Sequence, residues 1–584
     1  MLPNLRRFVV IYRGYVRPLI TSQVLLAIAT LFTLLIPLMI QHLLDDGLLK
    51  GDRNAAIRSV LWMVLFAVLS AIFTIANGWY AVQFAERTAH AVRMYLYKKI
   101  QTFAFGNLDQ FPTSDLMVRM TSDVNAIKAA IQFAILSLVQ APVMFIGALF
   151  LILHNSPALI WILWIVIPIV AVILIFFVSK LGVLFEARQA RLDKLNNVLQ
   201  EDLSGIRVVK AFVQSDYENH RYDRANRAFR KASLRPMQYA AFLQPTLYLI
   251  INLAIAAVLW FGGIALVEGQ MTVGEILAFS QYLTTTLVPL IVLAVIAPQI
   301  TAAEASAERM FAVMDAIPDV SDPPHPLKLD PTQIQGRIVF ENVDFSYPGK
   351  DGQPPTPVLK NINLTIEPGQ TVAFLGATGS GKSTLVNLIP RFYDVTRGRI
   401  TIDGIDVREI ALEDLHALIG VALQEAVLFS GKIRDNICYG RPDASEDEML
   451  TAARAADADS FISQLPEGYD APVARRGTNF SGGQRQRLSI ARALVVRPKI
   501  LILDDSTSAL DVATEARVQD AIENLMQKTP TLFVAQRIST VITADRIFIM
   551  EAGEIVAAGT HEELLRTSPL YAEISQSQLG GVPA

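Results

Sequence analysis

The stretch Gly376-Ala377-Thr378-Gly379-Ser380-Gly381-Lys382-Ser383-Thr384 decides the fold of the C-terminal half of this 584-residue chain. It fits the pattern G-x-x-x-x-G-K-[ST]. An apolar run, Val372-Ala373-Phe374-Leu375, precedes it, and Leu385-Val386-Asn387-Leu388-Ile389, which reads as a helix, follows. Strand, glycine-rich turn and helix start are the context in which this pattern cradles phosphate. The glycines let successive backbone N–H groups turn inward, and the helix N-terminus adds the positive end of its dipole. Lys382 is expected to reach the β- and γ-phosphates of a nucleotide, and Ser383 to offer its hydroxyl to Mg2+.

Downstream, Ile500-Leu501-Ile502-Leu503 reads as a buried parallel strand that ends in Asp504-Asp505. Open α/β sheets bind ligands at the C-terminal ends of their strands, so Asp504 is the expected Mg2+ partner. Between the two motifs lies Asn479-Phe480-Ser481-Gly482-Gly483-Gln484-Arg485-Gln486-Arg487, followed by helical spacing from Leu488 to Leu494. Ser481, Gly482, Gly483 and Gln484 form a second potential anion site at a helix start. One nucleotide does not need two phosphate cradles so far apart in sequence. The pair makes sense if two such domains face each other and each completes the other's site.

The N-terminal half has another character. Hydrophobic residues make up 52% of the whole chain and charged residues only 18%, below the roughly 25% usual for soluble proteins. That excludes a wholly soluble globular protein and a disordered chain. With 51 basic against 54 acidic residues the net charge is -3, so no basic field argues for nucleic acid. The single cysteine, Cys438, cannot form an internal disulfide. Runs without Asp, Glu, Lys or Arg cover residues 18–44, 59–85, 129–179, 236–267 and 276–303, and His154-Asn155-Ser156-Pro157 marks a turn inside the third. A bilayer core takes about 20 apolar residues per helix. Six spans follow: 18–44, 59–85, 129–153, 156–179, 236–267 and 276–303.

Lys and Arg crowd the loops after spans two and four, while the loop between spans five and six has none. Positive loops stay in the cytoplasm, which puts both termini there. Arg6, Arg7, Arg13 and Arg17 around Phe8, Val9, Val10, Ile11 and Tyr12 suggest an amphipathic helix on the membrane surface. In the second long loop Leu195, Val198, Leu199, Leu203, Ile206, Val209 and Val213 recur at helical spacing. Both long loops therefore read as spans that continue well past the bilayer and meet in a short turn. Residues 105–115 and 211–218, near those turns, are candidates for contact with a cytoplasmic domain. Prolines 318, 323, 324, 326 and 331 mark a linker. The expected division is a transmembrane domain over 1–317, a linker over 318–336 and a soluble α/β nucleotide-binding domain over 337–584.

On these motifs the chain resembles, over essentially its whole length, the half-transporters of the ATP-binding cassette (ABC) exporter family, the type IV ABC fold. The resemblance implies an all-α six-helix transmembrane domain with long cytoplasmic helical extensions, fused to an α/β P-loop nucleotide-binding (ABC) domain. It implies ATP and Mg2+ as ligands, a second half-transporter as partner, and the cell membrane as location. It also carries over residue roles. Tyr347, in Phe345-Ser346-Tyr347-Pro348, is similar to the aromatic that stacks on adenine. Residues Gly376 to Thr384 are similar to the ATP-binding loop. Gln424, in Leu423-Gln424-Glu425, resembles the glutamine that touches Mg2+ and relays to the membrane domain. Ser481-Gly482-Gly483-Gln484 resembles the signature that faces the partner's ATP. Ser508-Ala509-Leu510-Asp511 resembles the loop that crosses to the partner domain. Residues 105–115 and 211–218 would contain the coupling helices, the second docking on the partner's cassette.

Three positions depart from the family pattern. Where active cassettes carry the Glu that polarises water, this chain has Asp505, one methylene shorter; a displacement of about 1 Å can cost around a hundredfold in rate. The switch position that usually holds His holds Gln536, which cannot become cationic. Arg475 stands where the family usually has an acid. Two changes in one catalytic centre, beside an intact signature, imply a chain that binds ATP, hydrolyses it slowly, and completes a partner's site. This is similar to prokaryotic heterodimeric multidrug-type exporters, in which the partner's signature is usually the degraded one. A homodimeric exporter with slow ATPase, an importer on an exporter-like fold and a regulatory ATPase are the alternatives. No charged residue lies within the counted runs, so the expected cargo is apolar or amphipathic.

Overall fold

The computed structural model describes residues 3–8, 13–137, 139–349 and 355–579. The chain forms two compact units, Met1–Lys99 with Ser114–Asp315, and Ile100–Thr113 with Ala316–Ala584.

The first unit is helical. Its main helices are Val16–His42, Arg53–Gln101, Val124–Ser137, Gln140–Asn155, Ile160–Ser204, Ser215–Val267 and Val273–Met314. Among the described residues five helical stretches are long and apolar enough to cross a membrane: Val16–Leu48, Arg53–Gln101, Thr113–Asn155, Pro157–Ser204 and Ser215–Val267. The sixth expected span, 276–303, lies on the continuous helix Val273–Met314, where the side chains of 287–298 are outside the described residues. At about 1.5 Å per residue, helices of 49, 45 and 53 residues run about 70–80 Å. That far exceeds the roughly 30 Å of a hydrocarbon core, so these helices extend well beyond it.

Small residues set the packing inside this unit. A Cβ on Gly262 would lie 2.9 Å from the Ile276 side chain, and Ala148, Ala254 and Ala278 are buried in the same cluster. Close backbone approach and polar cross-links hold helices together where lipid offers no hydrophobic drive. Here Ser22 donates to Asn77 at 2.6 Å and the Tyr282 hydroxyl to the Leu34 carbonyl at 3.1 Å, all buried.

Two details differ from the sequence expectation. The stripe from Leu195 to Val213 is not one helix: the chain breaks at Gly205, forms a short helix Ile206–Ala211, turns, and restarts at Ser215. Val213 takes a left-handed φ of 53° in that turn, so the short helix sits five residues before the expected 211–218. At the N-terminus, Val9 to Tyr12 lie outside the described residues. The helix Pro3–Arg7 packs on the last long helix: Phe8 is buried 4.7 Å from the Phe311 ring and Arg7 pairs with Asp315 at 2.7 Å.

The second unit is α/β. Strands β1 (Ile338–Tyr347), β2 (Thr356–Ile366), β4 (Arg397–Ile402) and β5 (Ile405–Asp406) form an antiparallel sheet in the order β2-β1-β4-β5. Strands β3 (Thr371–Leu375), β6 (Ile419–Ala422), β9 (Ile500–Asp504), β10 (Thr531–Ala535), β11 (Arg546–Glu551) and β12 (Glu554–Gly559) form the second sheet, ordered β12-β11-β3-β10-β9-β6. The neighbours from β11 to β6 are parallel. A two-stranded ribbon pairs β7 (Gly431–Lys432) with β8 (Pro472–Val473). Phe340, Phe374, Leu385 and Leu532 lie in one buried core that joins both sheets to the helix Lys382–Leu388. The order places the C-terminal ends of β3, β10 and β9 side by side. The phosphate loop leaves β3, Gln536 follows β10, and Asp504 ends β9.

The short helix Phe105–Gln110 belongs to this second unit. Phe105 stacks on Phe392 at 4.3 Å, Tyr393 donates to Asp109 at 2.9 Å, and Asn107 bonds the Ile317 carbonyl and the Asp319 amide at 3.0 and 2.9 Å. Residues 318–336 run along the same unit, with Leu327 bridging to Ile410.

Candidate nucleotide-binding site

The phosphate loop has the geometry of an anion cradle. Gly379 and Gly381 take φ of 84° and 101°, in the region that favours glycine. A Cβ on Gly376 would fall onto the Met550 carbonyl oxygen. The helix Lys382–Leu388 starts at Gly381 with no side-chain cap, so its first N–H groups are free for a ligand. Lys382, only 6% exposed, donates from Nζ to the carbonyls of Gly376 and Ala377 at 2.8 and 2.9 Å. Burial pushes its ammonium below the usual lysine range, opposed by Asp505 and Asp504. The Ser380 hydroxyl is buried without a hydrogen-bond partner. An uncapped helix start, an orphaned hydroxyl and a cation folded over the loop fit a bound polyphosphate.

Ser383 donates to Asp504 at 2.8 Å. Asp504 is 3% exposed, and burial pushes its carboxyl up, partly offset by the Ser383 bond. A hydroxyl and a carboxylate are hard oxygen donors, and Mg2+ takes one or two protein ligands with waters and phosphates completing its octahedron. The pair fits Mg2+. Among the described residues no group of three or more His, Cys, Asp or Glu forms a metal cage.

Asp505 follows with a left-handed φ of 48°. Its Oδ2 accepts from Gln536 Nε2 at 3.2 Å and from Gln424 Nε2 at 3.5 Å. Two residues that lie 81 and 31 positions from Asp505 in sequence thus converge on its carboxylate. Tyr347 ends β1 with its hydroxyl 3.0 Å from the Thr384 hydroxyl, its ring packed edge-on to Phe345 at 4.9 Å and to Tyr393 at 5.3 Å. The adenine-stacking candidate is therefore folded onto the loop's own helix. Ala377 and Thr378 complete the loop's first turn, closed by the Ser380 amide on the Ala377 carbonyl at 3.2 Å.

The signature is built separately. Ser481 caps the helix Gly482–Val495: its hydroxyl accepts the Gln484 amide at 3.2 Å, and its own amide donates to Gln484 Oε1 at 2.9 Å. This capping box occupies both side chains and leaves the amides of Gly482 and Gly483 at the helix start. Among the described residues no hydrogen bond joins Ser481–Gln484 to the phosphate loop. Asp511 caps the helix Val512–Leu525 by accepting the Thr514 amide at 3.0 Å. Arg475 is exposed in a short turn, Arg475–Gly477.

Sequence reasoning missed Gln486, which sits within the quoted motif. Its Oε1 accepts the Ala509 amide at 2.9 Å and its Nε2 donates to the Ser508 hydroxyl at 3.2 Å, tying the signature helix to the crossing loop. It also missed Gln578, whose side-chain amide bonds the Ile538 amide at 2.7 Å and the Gln536 carbonyl at 2.9 Å. No sequence signal pointed to either pairing.

Comparison with known proteins decides the family. The model of the ABC transporter transmembrane region matches residues 19–290, and the ABC transporter model matches residues 359–508. An uncharacterized ABC transporter ATP-binding protein of Bacillus subtilis, YfiB, is 38% identical over 551 residues, 93% of each chain. The chain belongs to the ABC transporter family. This ABC transporter is also 37% identical, over 98% of its length and 94% of the relative's, to a protein named ATP-dependent lipid A-core flippase in Syntrophus aciditrophicus. Its fold matches the ATP-bound structure of a bacterial Atm1-family ABC exporter with a TM-score of 0.81 and 26% identity, covering 98% of this chain and 100% of that one. A helical transmembrane domain fused to an ABC domain makes it an ATP-hydrolysing transporter with the exporter fold.

Proposed function

We propose that this ABC exporter is one half of a heterodimer and that its own ATP site turns over slowly. The carrying observation is the environment of Asp505. The residue that would polarise water is a short carboxylate whose Oδ2 already receives two amide donors, Gln424 and Gln536. Both donors engage the oxygen that would take a proton from water, and neutral Gln536 offers no cation to a developing negative charge. In this reading Lys382, Ser380 and the uncapped helix start hold the phosphates, Ser383, Asp504 and Gln424 hold Mg2+, and Tyr347 packs against the base. The signature Ser481–Gln484 serves the partner's ATP, with Asp511 at the crossing loop. Bound Mg2+ would supply charge neutralisation between the phosphates.

A partner chain also suits the membrane helices. Only 6% of the most apolar window of Arg53–Gln101 is buried within the chain, against 28–29% for the other four. A groove of about 390 Å3 beside Gln424, lined by Glu425, Arg476, Gly482 and Arg485, is the proposed seat for the partner's second coupling helix. The cargo is apolar or amphipathic, and the likeness to a named lipid flippase favours a lipid-like amphiphile. The sites face the cytoplasm, with both termini, on the evidence of loop charge.

The test is steady-state ATPase of this chain purified alone, then with the product of the neighbouring reading frame. Near-zero activity alone that rises strongly on mixing supports the heterodimer. Robust activity alone supports a homodimer and overturns the slow-site reading.

A further inference from the structure

Glu515 is a buried carboxylate with no part in the phosphate or Mg2+ contacts. It lies in the first turns of the helix Val512–Leu525 and is only 3% exposed. Its Oε1 accepts from the hydroxyls of Thr507 and Thr540, both at 2.7 Å. Its Oε2 is buried and has no hydrogen-bond partner, with Arg537 NH1 at 3.9 Å the facing cation. Burying a carboxylate on two neutral hydroxyls and a distant guanidinium is costly, so the arrangement asks for a reason beyond stability.

The partners supply one. Thr507 is two residues beyond Asp505, at the head of the crossing loop. Thr540 is four residues beyond Gln536, in the short helix Ile538–Val541 that follows the switch. Arg537, next to Gln536, donates to the carbonyls of Ser508 and Leu510 at 3.1 and 3.4 Å. Every connection therefore joins the crossing loop to the switch.

We propose that Glu515 is a positioning residue that holds the crossing loop (508–511) and the switch (Gln536) in register. It acts on the reaction only through Thr507, Thr540 and Arg537. Movement of the switch toward a γ-phosphate is then passed to the loop that reaches the partner's site. The inference rests on the proposed roles of Gln536 and residues 508–511, and holds for a homodimer or a heterodimer.

The test is Glu515→Gln in the full-length transporter, assembled in whichever form hydrolyses ATP, with kcat, ATP KM and apparent Tm measured together. The carboxamide keeps the shape and removes the charge. We expect kcat to fall by about tenfold, with KM and Tm little changed, the pattern of a lost interaction beyond ground-state binding. Thr540→Val and Thr507→Val, which lose the hydroxyl, reproduce the fall, while Thr540→Ser and Thr507→Ser, which keep it, stay close to wild type. A kcat within about twofold of wild type in Glu515→Gln overturns the proposal. So does a fall that tracks Tm and KM, or Ser variants that fall as far as the Val ones.

Discussion

At the scale of single residues, the proposed slow turnover rests on the convergence of Gln424 and Gln536 on Asp505. Lengthening the carboxylate and restoring an imidazole should reverse it. Asp505→Glu with Gln536→His is expected to raise the ATPase rate of the purified chain by about tenfold or more, since about 1 Å of reach is worth up to a hundredfold. An unchanged rate from a well-folded double variant would show that the limit lies elsewhere. The proposed Mg2+ pair, Ser383 and Asp504, gives a second prediction. Ser383→Ala removes the donor to Asp504 and leaves a carboxylate 3% exposed without its bond. ATP binding should then weaken by about tenfold in the presence of Mg2+, on the scale of one charge-assisted hydrogen bond, and change little with EDTA. The phosphate loop was legible because its chemistry is written in nine consecutive residues. The environment of Asp505 was not, because Gln424 and Gln536 reach it only after β6, β9 and β10 line up. Glu515 was silent for the same reason: its partners Thr507 and Thr540 are joined by the fold, not by spacing.

At the scale of elements, hydrophobic runs announced the membrane helices and their overlong extensions. Breaks inside helices were harder to read. The apolar stripe across Leu195 to Val213 continues at 3.6-residue spacing, yet the backbone turns at Gly205, because glycine gives up helix stability at a point where no side chain holds the turn. The helix Pro569–Leu579 makes a contact the sequence hid altogether. Gln578 pairs with the backbone on both sides of Arg537, much as a neighbouring strand would. Gln578→Ala should loosen the switch. Its expected effect is faster hydrogen exchange confined to residues around 536–540, without loss of ATP binding; protection equal to wild type would mean the clamp carries no weight. The helix Leu412–Leu418 adds a pH dependence. Burial pushes the His416 imidazole below its ordinary 6.5, against the Pro390 carbonyl that its Nε2 meets at 2.9 Å. A histidine neutral when folded must charge when unfolded. Its stability contribution is complete above 6.5 and is lost as pH falls from 6.5 toward the lower folded value. The apparent Tm should drop between pH 7.5 and 5.5, and His416→Gln, which keeps a donor for the carbonyl, should shrink that drop.

At the scale of the whole molecule, the chain leaves its helical unit at residue 100, places one short helix in the ABC unit, and returns at residue 114. The ABC fold is thus completed by a segment that precedes it by more than 200 residues. Phe105 stacks on Phe392, and His416 lies 5.7 Å behind that ring. Tyr393 contacts Phe105, Asp109 and Tyr347 at once. Tyr347 in turn touches Thr384 of the phosphate loop. A continuous set of rings therefore runs from the proposed phosphate loop to the short helix Phe105–Gln110. Stacked aromatic pairs are worth about 0.5–1.5 kcal/mol beyond their buried area, enough to weight one docked arrangement without welding it. Phe105→Ala should leave ATP affinity of the full chain within about twofold, since no phosphate or Mg2+ contact is removed, while stimulation of ATPase by cargo falls toward the basal rate. Tyr393→Phe, which keeps the rings and removes only the bond to Asp109, should give an intermediate loss. Equal stimulation in all three proteins would mean that the ring cluster merely packs the helix in place. A graded loss at constant ATP affinity would identify it as the path by which nucleotide and membrane helices feel each other.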